Sequence, residues 1–344
     1  MKKAIILFNL GGPDKIESVE PFLFNLFNDP AILNLPTFLR YPLAKLISKR
    51  RAPVAKKIYA ELGGSSPIFK LTKEQSGALE IKLNQTQKED EYKCFIIMRC
   101  WNPRANDVIK EVQLYNPGEV VLMPLYPQYS AATSGSSIKE WKDICKKNNY
   151  HVKTSTICCY PTDKNFIIAH TKEIVKKTKN IKNFKLIFSA HGLPEKNIKN
   201  GDPYQWQVEQ SVKKIVENLN DKNLDWILSY QSRVGPLKWI GPSTEDIIIK
   251  NSKLGKHIVL VPIAFVSEHS ETLVELDIEY KEIADANGCK NYTRVPALGI
   301  NEDFIRAMSE LIIKKNEYKI NENLYPPKIQ CPSNFKKCPC LNYE

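Results

Sequence analysis

The sequence predicts an α/β protein of two similar domains, each a four-stranded parallel sheet flanked by helices, with an active-site cleft between them. Three observations carry that prediction. Eight short, β-rich apolar runs alternate with longer segments of helical periodicity, which requires crossover connections and therefore parallel strands. Four of the runs fall in each half of the 344-residue chain, a length that suits two domains. The apolar fraction of 42% and charged fraction of 26% are ordinary for a globular protein; they allow a sizeable core and exclude a disordered or fibrous chain.

The first run, Ala4–Phe8, follows Met-Lys-Lys and at first sight resembles a secretory leader. It is too short, however, and meets Gly11-Gly12-Pro13-Asp14 without a small-residue cleavage site, so it is read as a buried strand of a cytoplasmic protein. Cys94–Met98, Val120–Met123 and Lys153–Ile157 complete the first set of strands. Lys185–Ser189, Trp226–Ser229, His257–Val261 and Tyr292–Val295 form the second. Helical patterns over Glu17–Phe27, Phe69–Leu83, Asn106–Leu114, Ser136–Cys145, Tyr204–Asn218, Glu268–Ala286 and Glu302–Lys314 lie among them. The expected division is 1–160, 161–320 and a Cys-bearing extension, 321–344, read as an appended loop. No apolar run, Ile258–Val266 included, approaches the ~18 residues of a membrane span.

With 50 Lys and Arg against 38 Asp and Glu, the formal charge is +12. The densest basic stretch, Phe38–Lys57, contains seven cations and no acid, interleaved with Phe38, Leu39, Tyr41, Leu43, Leu46 and Ile47. Such a segment suits an anionic ligand, a membrane surface or nucleic acid, or is simply a solvated helix face. Nine cysteines without an export signal argue for reduced thiols or metal ligands, not a disulfide framework.

Ligands of open parallel sheets bind beyond the carboxyl ends of the strands, so the residues after each strand matter most. Asn9-Leu-Gly-Gly-Pro13 lacks the glycine spacing of a dinucleotide fingerprint, which disfavours a nicotinamide oxidoreductase. After the fifth strand comes His191, followed by Gly192 and Pro194, well placed as a metal ligand or general base. After the seventh comes a helix bearing Glu271, Glu275, Glu279 and Glu282. At ~100° per residue these carboxylates share a sector of about 80°, where crowding raises their pKa values and suits proton transfer or a hydrated divalent cation. Arg99-Cys-Trp101, Tyr126-Pro-Gln-Tyr129-Ser130 and Gln231–Trp239 read as walls for a large flat anionic ligand.

Taken together, Leu10–Pro13, Lys49–Pro53, Gly63–Pro67, Tyr126–Tyr129, Ser189-Ala-His191 and Glu268–Tyr280 resemble the ferrochelatase family, over nearly the whole chain. The resemblance implies two Rossmann-like domains and a lyase of heme biosynthesis that inserts Fe²⁺, a substrate, into protoporphyrin IX with loss of two protons. It implies His191 and Glu271 as catalytic and metal-binding residues, Glu275 and Glu279 as a proton or metal relay, and Arg99, Tyr126, Ser130 and Trp239 as porphyrin contacts. The segment 38–57 becomes the lip of the porphyrin entrance, in peripheral contact with the inner membrane surface; no nucleic-acid partner is expected. Cys331, Cys338 and Cys340 resemble the tail of cluster-bearing bacterial members, implying a [2Fe-2S] cluster with Cys158, or alternatively Cys159, as fourth ligand; zinc or reduced thiols are the other readings. Ala131 stands where animal members place a ligand. Coproporphyrin III as substrate, or a silent tetrapyrrole or iron carrier or sensor, are the alternatives.

Overall fold

The computed structural model describes residues 1–233, 237–314, 324–325 and 331–341. The expected wall residues 234–236 and parts of the 321–344 extension lie outside the described residues. The chain divides into two compact units, Met1–Cys159 with Met308–Tyr325 and Tyr160–Ala307 with Pro326–Glu344.

The first unit runs β1 (Lys2–Asn9), α1 (Val19–Phe27), α2 (Thr37–Glu61), α3 (Ile68–Thr86), β2 (Glu91–Met98), α4 (Ala105–Tyr115), β3 (Glu119–Pro124), α5 (Ser136–Lys147) and β4 (Lys153–Ile157). All of its pairings are parallel, with β1 between β2 and β3. Residues 4–8 of β1 are at most 1% exposed, as expected of a central strand covered on both faces. Ala4, Ile6 and Phe8 point to one face, where Val108, Ile109 and Val112 of α4 and Trp141 of α5 cover them. Helix α4 is apolar at 105, 108, 109, 112 and 115, one face of a helix, and stops at Asn116, which takes the left-handed conformation at φ 53°.

The second unit runs α6 (Lys164–Thr178), β5 (Phe184–His191), α7 (Glu195–Lys199), α8 (Tyr204–Leu219), β6 (Trp226–Gln231), α9 (Thr244–Lys253) and β7 (His257–Pro262). A π-helix (Glu271–Glu279), α10 (Tyr280–Ala286) and β8 (Tyr292–Arg294) follow, and then α11 (Glu302–Ile313), which belongs to this unit as far as Ala307. Its sheet order, β6-β5-β7-β8, repeats the β2-β1-β3-β4 order of the first. In each sheet the connections leave in opposite directions from the two central strands, opening a crevice at their carboxyl ends. In the second unit those strands are β5 and β7, the carriers of His191 and of the loop into the acidic helix.

All eight expected strands are present. The tail adds one more: β9 (Leu324–Tyr325) pairs in parallel with Thr156 and Ile157 of β4, a strand where a loop was expected, because β4 otherwise leaves an open edge. The acidic segment also departs from expectation. It is π-helical over Glu271–Glu279, and Tyr280 N–H donates to the carbonyl of Glu275, five residues back. Residues four and five apart therefore stack in a turn wider than an α-turn, which keeps Glu271, Glu275 and Glu279 along one side by a different route from the 100° arithmetic. Leu276 and Tyr280 meanwhile pack into the core with Ile187, Ile258 and Leu260.

Helix α2 carries the basic-apolar stretch. Ala44, Ser48 and Ala52 are buried at four-residue spacing, with Tyr59 further along, and most of the remaining surface is open. Phe38 is 75% exposed and Val54 63%; Leu39, Tyr41 and Leu46 are exposed as well.

Candidate active site

His191 ends β5, and its Nδ1 lies 2.6 Å from the carbonyl of Gly192. A carbonyl can only accept, so Nδ1 carries a proton, and in the neutral tautomer the lone pair sits on Nε2. That Nε2 is 3.6 Å from Glu271 Oε1. The next loop brings a second imidazole that the motif reading passed over. His269 Nδ1 faces the Ser267 carbonyl at 3.3 Å, and its Nε2 lies 3.7 Å from Glu271 Oε2. The only sequence signal for it was its place two residues before Glu271, on the loop after a central strand. Thr272 fixes the turn: its Oγ1 accepts from His269 N–H at 2.9 Å and donates to the His269 carbonyl at 3.1 Å.

Glu271 is thus held between two imidazole Nε2 atoms. Burial pushes its pKa up, but the pull of the His191 and His269 imidazoles, when these carry a proton, outweighs it and holds the carboxyl down at about 2. The 3.7 Å contact is too long for a hydrogen bond, and Oε2 is a buried acceptor with no hydrogen-bond partner among the described residues. Phe265 walls the group, its ring centroid 4.5 Å from His269 and 6.4 Å from His191. Tyr204 Oη donates to the His191 carbonyl at 3.0 Å.

Glu275 is differently placed. Its oxygens accept from Ser232 N–H (2.8 Å), Ser232 Oγ (2.5 Å), Gln231 Nε2 (3.2 Å) and Tyr280 Oη (2.9 Å), so it is a fixed, saturated anion. Gln231 is in turn oriented by Ser189 Oγ, which donates to its Oε1 at 2.7 Å. Glu279, at the end of the π-helix, is exposed as a residue, but partial desolvation of its carboxyl and the charges of Glu275 and Glu282 raise its pKa, the direction expected for crowded carboxylates. Trp239 forms a short antiparallel bridge with Pro194 in the loop after His191, and a Cβ on Gly192 would come 3.2 Å from its ring.

In the first unit, the turns flagged at Leu10–Pro13 and Gly63–Pro67 meet: Ser66 N–H donates to Pro13 O at 2.8 Å, and a Cβ on Gly12 would lie 2.5 Å from Ser66. Tyr126 has a buried hydroxyl without a hydrogen-bond partner among the described residues, and burial pushes its pKa up. Ser130 is buried and accepts from Ala132 N–H at 3.2 Å, capping the turn before α5. Arg99, expected to pair with a propionate, has its guanidinium engaged already. Nε donates to Ser136 Oγ at 2.7 Å, NH1 to Glu140 at 3.3 Å, and NH2 pairs with buried Asp29 at 2.9 Å. Pairing with a propionate would have to compete with this buried ion pair.

Cys331 and Cys338 are buried with Phe335 beside Trp206, Cys340 and Leu341, and Gln207 Nε2 donates to Cys331 Sγ at 3.3 Å. Cys331 and Cys340 both hydrogen-bond to Cys338 and lower its pKa. Cys158 and Cys159 are buried at the end of the first unit, their sulfurs 3.4 Å apart. Among the described residues no group of three or more His, Cys, Asp or Glu side chains is arranged to hold a metal ion, and no helix is long and apolar enough to cross a membrane.

Two solved structures share the fold at 11% identity. One is SirB from Bacillus subtilis with Fe³⁺ (TM-score 0.57, covering 94% of this chain and all of that one). The other is the sirohydrochlorin chelatase SirB from Bacillus subtilis subspecies spizizenii in complex with cobalt (TM-score 0.52, 91% and 95%). In sequence, the chain is 88% identical over its full length to a ferrochelatase of Pelagibacter ubique, of which it covers 100%. It is 50% identical to one of Rickettsia felis, with 99% of each chain covered. Since the ferrochelatase family model also matches residues 2–316, the chain belongs to the ferrochelatase family.

Proposed function

We propose that the chain inserts Fe²⁺ into protoporphyrin IX, with His191 and Glu271 performing the metal and proton chemistry. The observation that carries this reading is the Glu271 carboxylate between two imidazoles whose Nδ1 protons are held by carbonyls. The reaction replaces two pyrrole N–H protons by one Fe²⁺. A neutral His191 accepts a pyrrole proton at Nε2, and the imidazolium formed is paired with Glu271; His269, on the other carboxylate oxygen, can hold the second. Oε1 and Oε2, unsaturated by hydrogen bonds, suit a hydrated cation shedding water. Glu279, with its raised pKa, suits release of protons toward solvent. Glu275, already saturated, serves the relay as a fixed negative charge.

Arg99, Tyr126, Ser130 and Trp239 are the proposed porphyrin contacts, Arg99 from a guanidinium already oriented by Asp29, Ser136 and Glu140. The exposed Phe38, Leu39 and Tyr41 beside the cations of α2 support peripheral contact with an anionic membrane surface by a cytoplasmic protein. We also propose a [2Fe-2S] cluster on Cys331, Cys338 and Cys340, with Cys158 or else Cys159 as fourth ligand. A set of thiols alone, three of them in one tail loop and two of those buried, supports it. Since metal insertion moves no electrons, the cluster supplies stability or sensing. Stoichiometric iron and sulfide in anaerobically purified protein, lost in Cys338→Ser, is the expected result; stoichiometric zinc rejects it.

The deciding assay is the initial anaerobic rate of metalloporphyrin formation from Fe²⁺, with protoporphyrin IX and coproporphyrin III supplied separately. Faster turnover of protoporphyrin is expected. A preference for coproporphyrin overturns the substrate, and tight binding without turnover of either overturns the enzyme.

A further inference from the structure

A run of nine residues in π-helical form needs outside support, because π-turns are rare and short when left to themselves. On one flank Glu275 is tied to Gln231 and Ser232. On the other, the support comes from β8. Tyr292 and Arg294 are two residues apart and so share a face of the strand, and both reach the helix. Tyr292 Oη donates to the carbonyl of Leu276 at 2.5 Å. Arg294 grips Asp277 through Nε (2.5 Å) and NH2 (2.7 Å), and Glu268 through NH1 (2.8 and 3.1 Å). Glu268 also accepts from Ala297 N–H at 2.9 Å.

One guanidinium therefore joins the residue just before His269 to the middle of the π-helix, and His269 and Glu271 lie between its two anchors. Relaxation toward α-geometry would move each N–H from a partner five residues back to one four back. The accumulated rotation would pull Glu271 away from His191, or Leu276 and Tyr280 out of the core. We infer that Arg294, assisted by Tyr292, is a positioning residue for metal insertion, fixing the π-helical register of 271–279 and so the place of Glu271 between the imidazoles. The inference rests on the roles of His191 and Glu271 proposed above. Lysine cannot replace the fork, since a single ammonium nitrogen cannot give Asp277 a paired contact and at the same time hold Glu268 from a separate nitrogen.

The test compares wild type, Arg294→Lys, Tyr292→Phe and Glu271→Gln by backbone hydrogen exchange and steady-state kinetics. In Arg294→Lys, exchange of amides 272–280 should accelerate about tenfold or more while β5 and β7 keep their protection. Its kcat should fall about 10–100-fold with porphyrin KM changed less than about twofold. Tyr292→Phe, which deletes one oxygen and keeps the ring, should move both readouts in the same direction by less. Unchanged exchange in 272–280, or exchange raised equally everywhere, overturns the clamp. Local loosening with full kcat in Arg294→Lys, while Glu271→Gln is inactive, overturns the positioning role. Full kcat in Glu271→Gln instead refutes the catalytic reading, and local loosening would then still establish the clamp.

Discussion

His170 offers a pH-dependent stability that can be worked from its surroundings. It lies on α6, 1% exposed, with its ring edge-on to Phe166 at 4.8 Å, and neither ring nitrogen has a hydrogen-bond partner among the described residues. Burial alone pushes its pKa from 6.5 down to about 3. The folded state thus keeps the ring neutral while the unfolded chain takes up a proton below pH 6.5, so stability falls as pH drops through that value and continues to fall until about pH 3. At about pH 5 the unfolded ring is almost fully protonated and the folded one is not, which costs about 2 kcal/mol. The comparison is urea unfolding of the second unit at about pH 7.5 and pH 5, in wild type and in His170→Leu. Other titrating groups are common to both proteins and cancel in the difference. The wild type should lose about 2 kcal/mol more than the variant between the two pH values. Parallel losses would refute the reasoning and mean that His170 has a proton acceptor or charges in the folded state.

Gly192→Ala should destabilise by about 1–3 kcal/mol, because the added Cβ would come 2.8 Å from the Gln231 carbonyl; chemical denaturation measures it. The same change should lower kcat, since the Gly192 carbonyl sets the His191 tautomer. Glu271→Gln should reduce kcat by about 10²–10⁴-fold, with porphyrin affinity, read by fluorescence quenching, close to wild type. Ser232→Ala removes one of four donors to Glu275 and should cost about 1.5–3 kcal/mol of stability as a hydrogen bond to a charged group. Replacing Phe38 and Leu39 by Glu should weaken sedimentation with anionic vesicles and leave turnover of soluble porphyrin unchanged.

What could be read from the sequence was what local pattern determines. The apolar runs that became β1, β3, β5 and β7 are buried on both faces, so they declared themselves without periodicity. His191 could be found because it ends such a run. Three features resisted for three different reasons. His269 stands beside Glu268, Glu271 and a helix pattern that drew the reading to the carboxylates, and only the fold brings its Nε2 to Glu271. The π-helix has an apolar pattern close to that of an α-helix, and its hydrogen bonding depends on Arg294 and Tyr292 from a strand more than ten residues away. Arg99 looked like a free cation because its partners Asp29, Ser136 and Glu140 are 37 to 70 residues distant in sequence and none belongs to its own motif.

Arg99 and Glu271 also differ in how far their neighbours saturate them. Arg99 follows the edge strand β2 and Glu271 the loop after the central strand β7. Arg99 meets three acceptors at hydrogen-bonding or ion-pair distance, and its side chain is 13% exposed. Any ligand would have to outbid contacts already made in a poorly solvated place, and exchange of that kind gains little. Glu271 is charged against imidazoles that stop short of bonding to it, at 3.6 and 3.7 Å. The adjoining His191 side chain is 40% exposed. A carboxylate held ionised by its neighbours but not saturated by them retains lone pairs for an incoming cation or proton. Glu275, one turn along the same helix and bound by four donors, shows the alternative. Charge type is equal between these two glutamates, so the number of unspent acceptor sites is what favours Glu271 over Glu275 in the proposed mechanism.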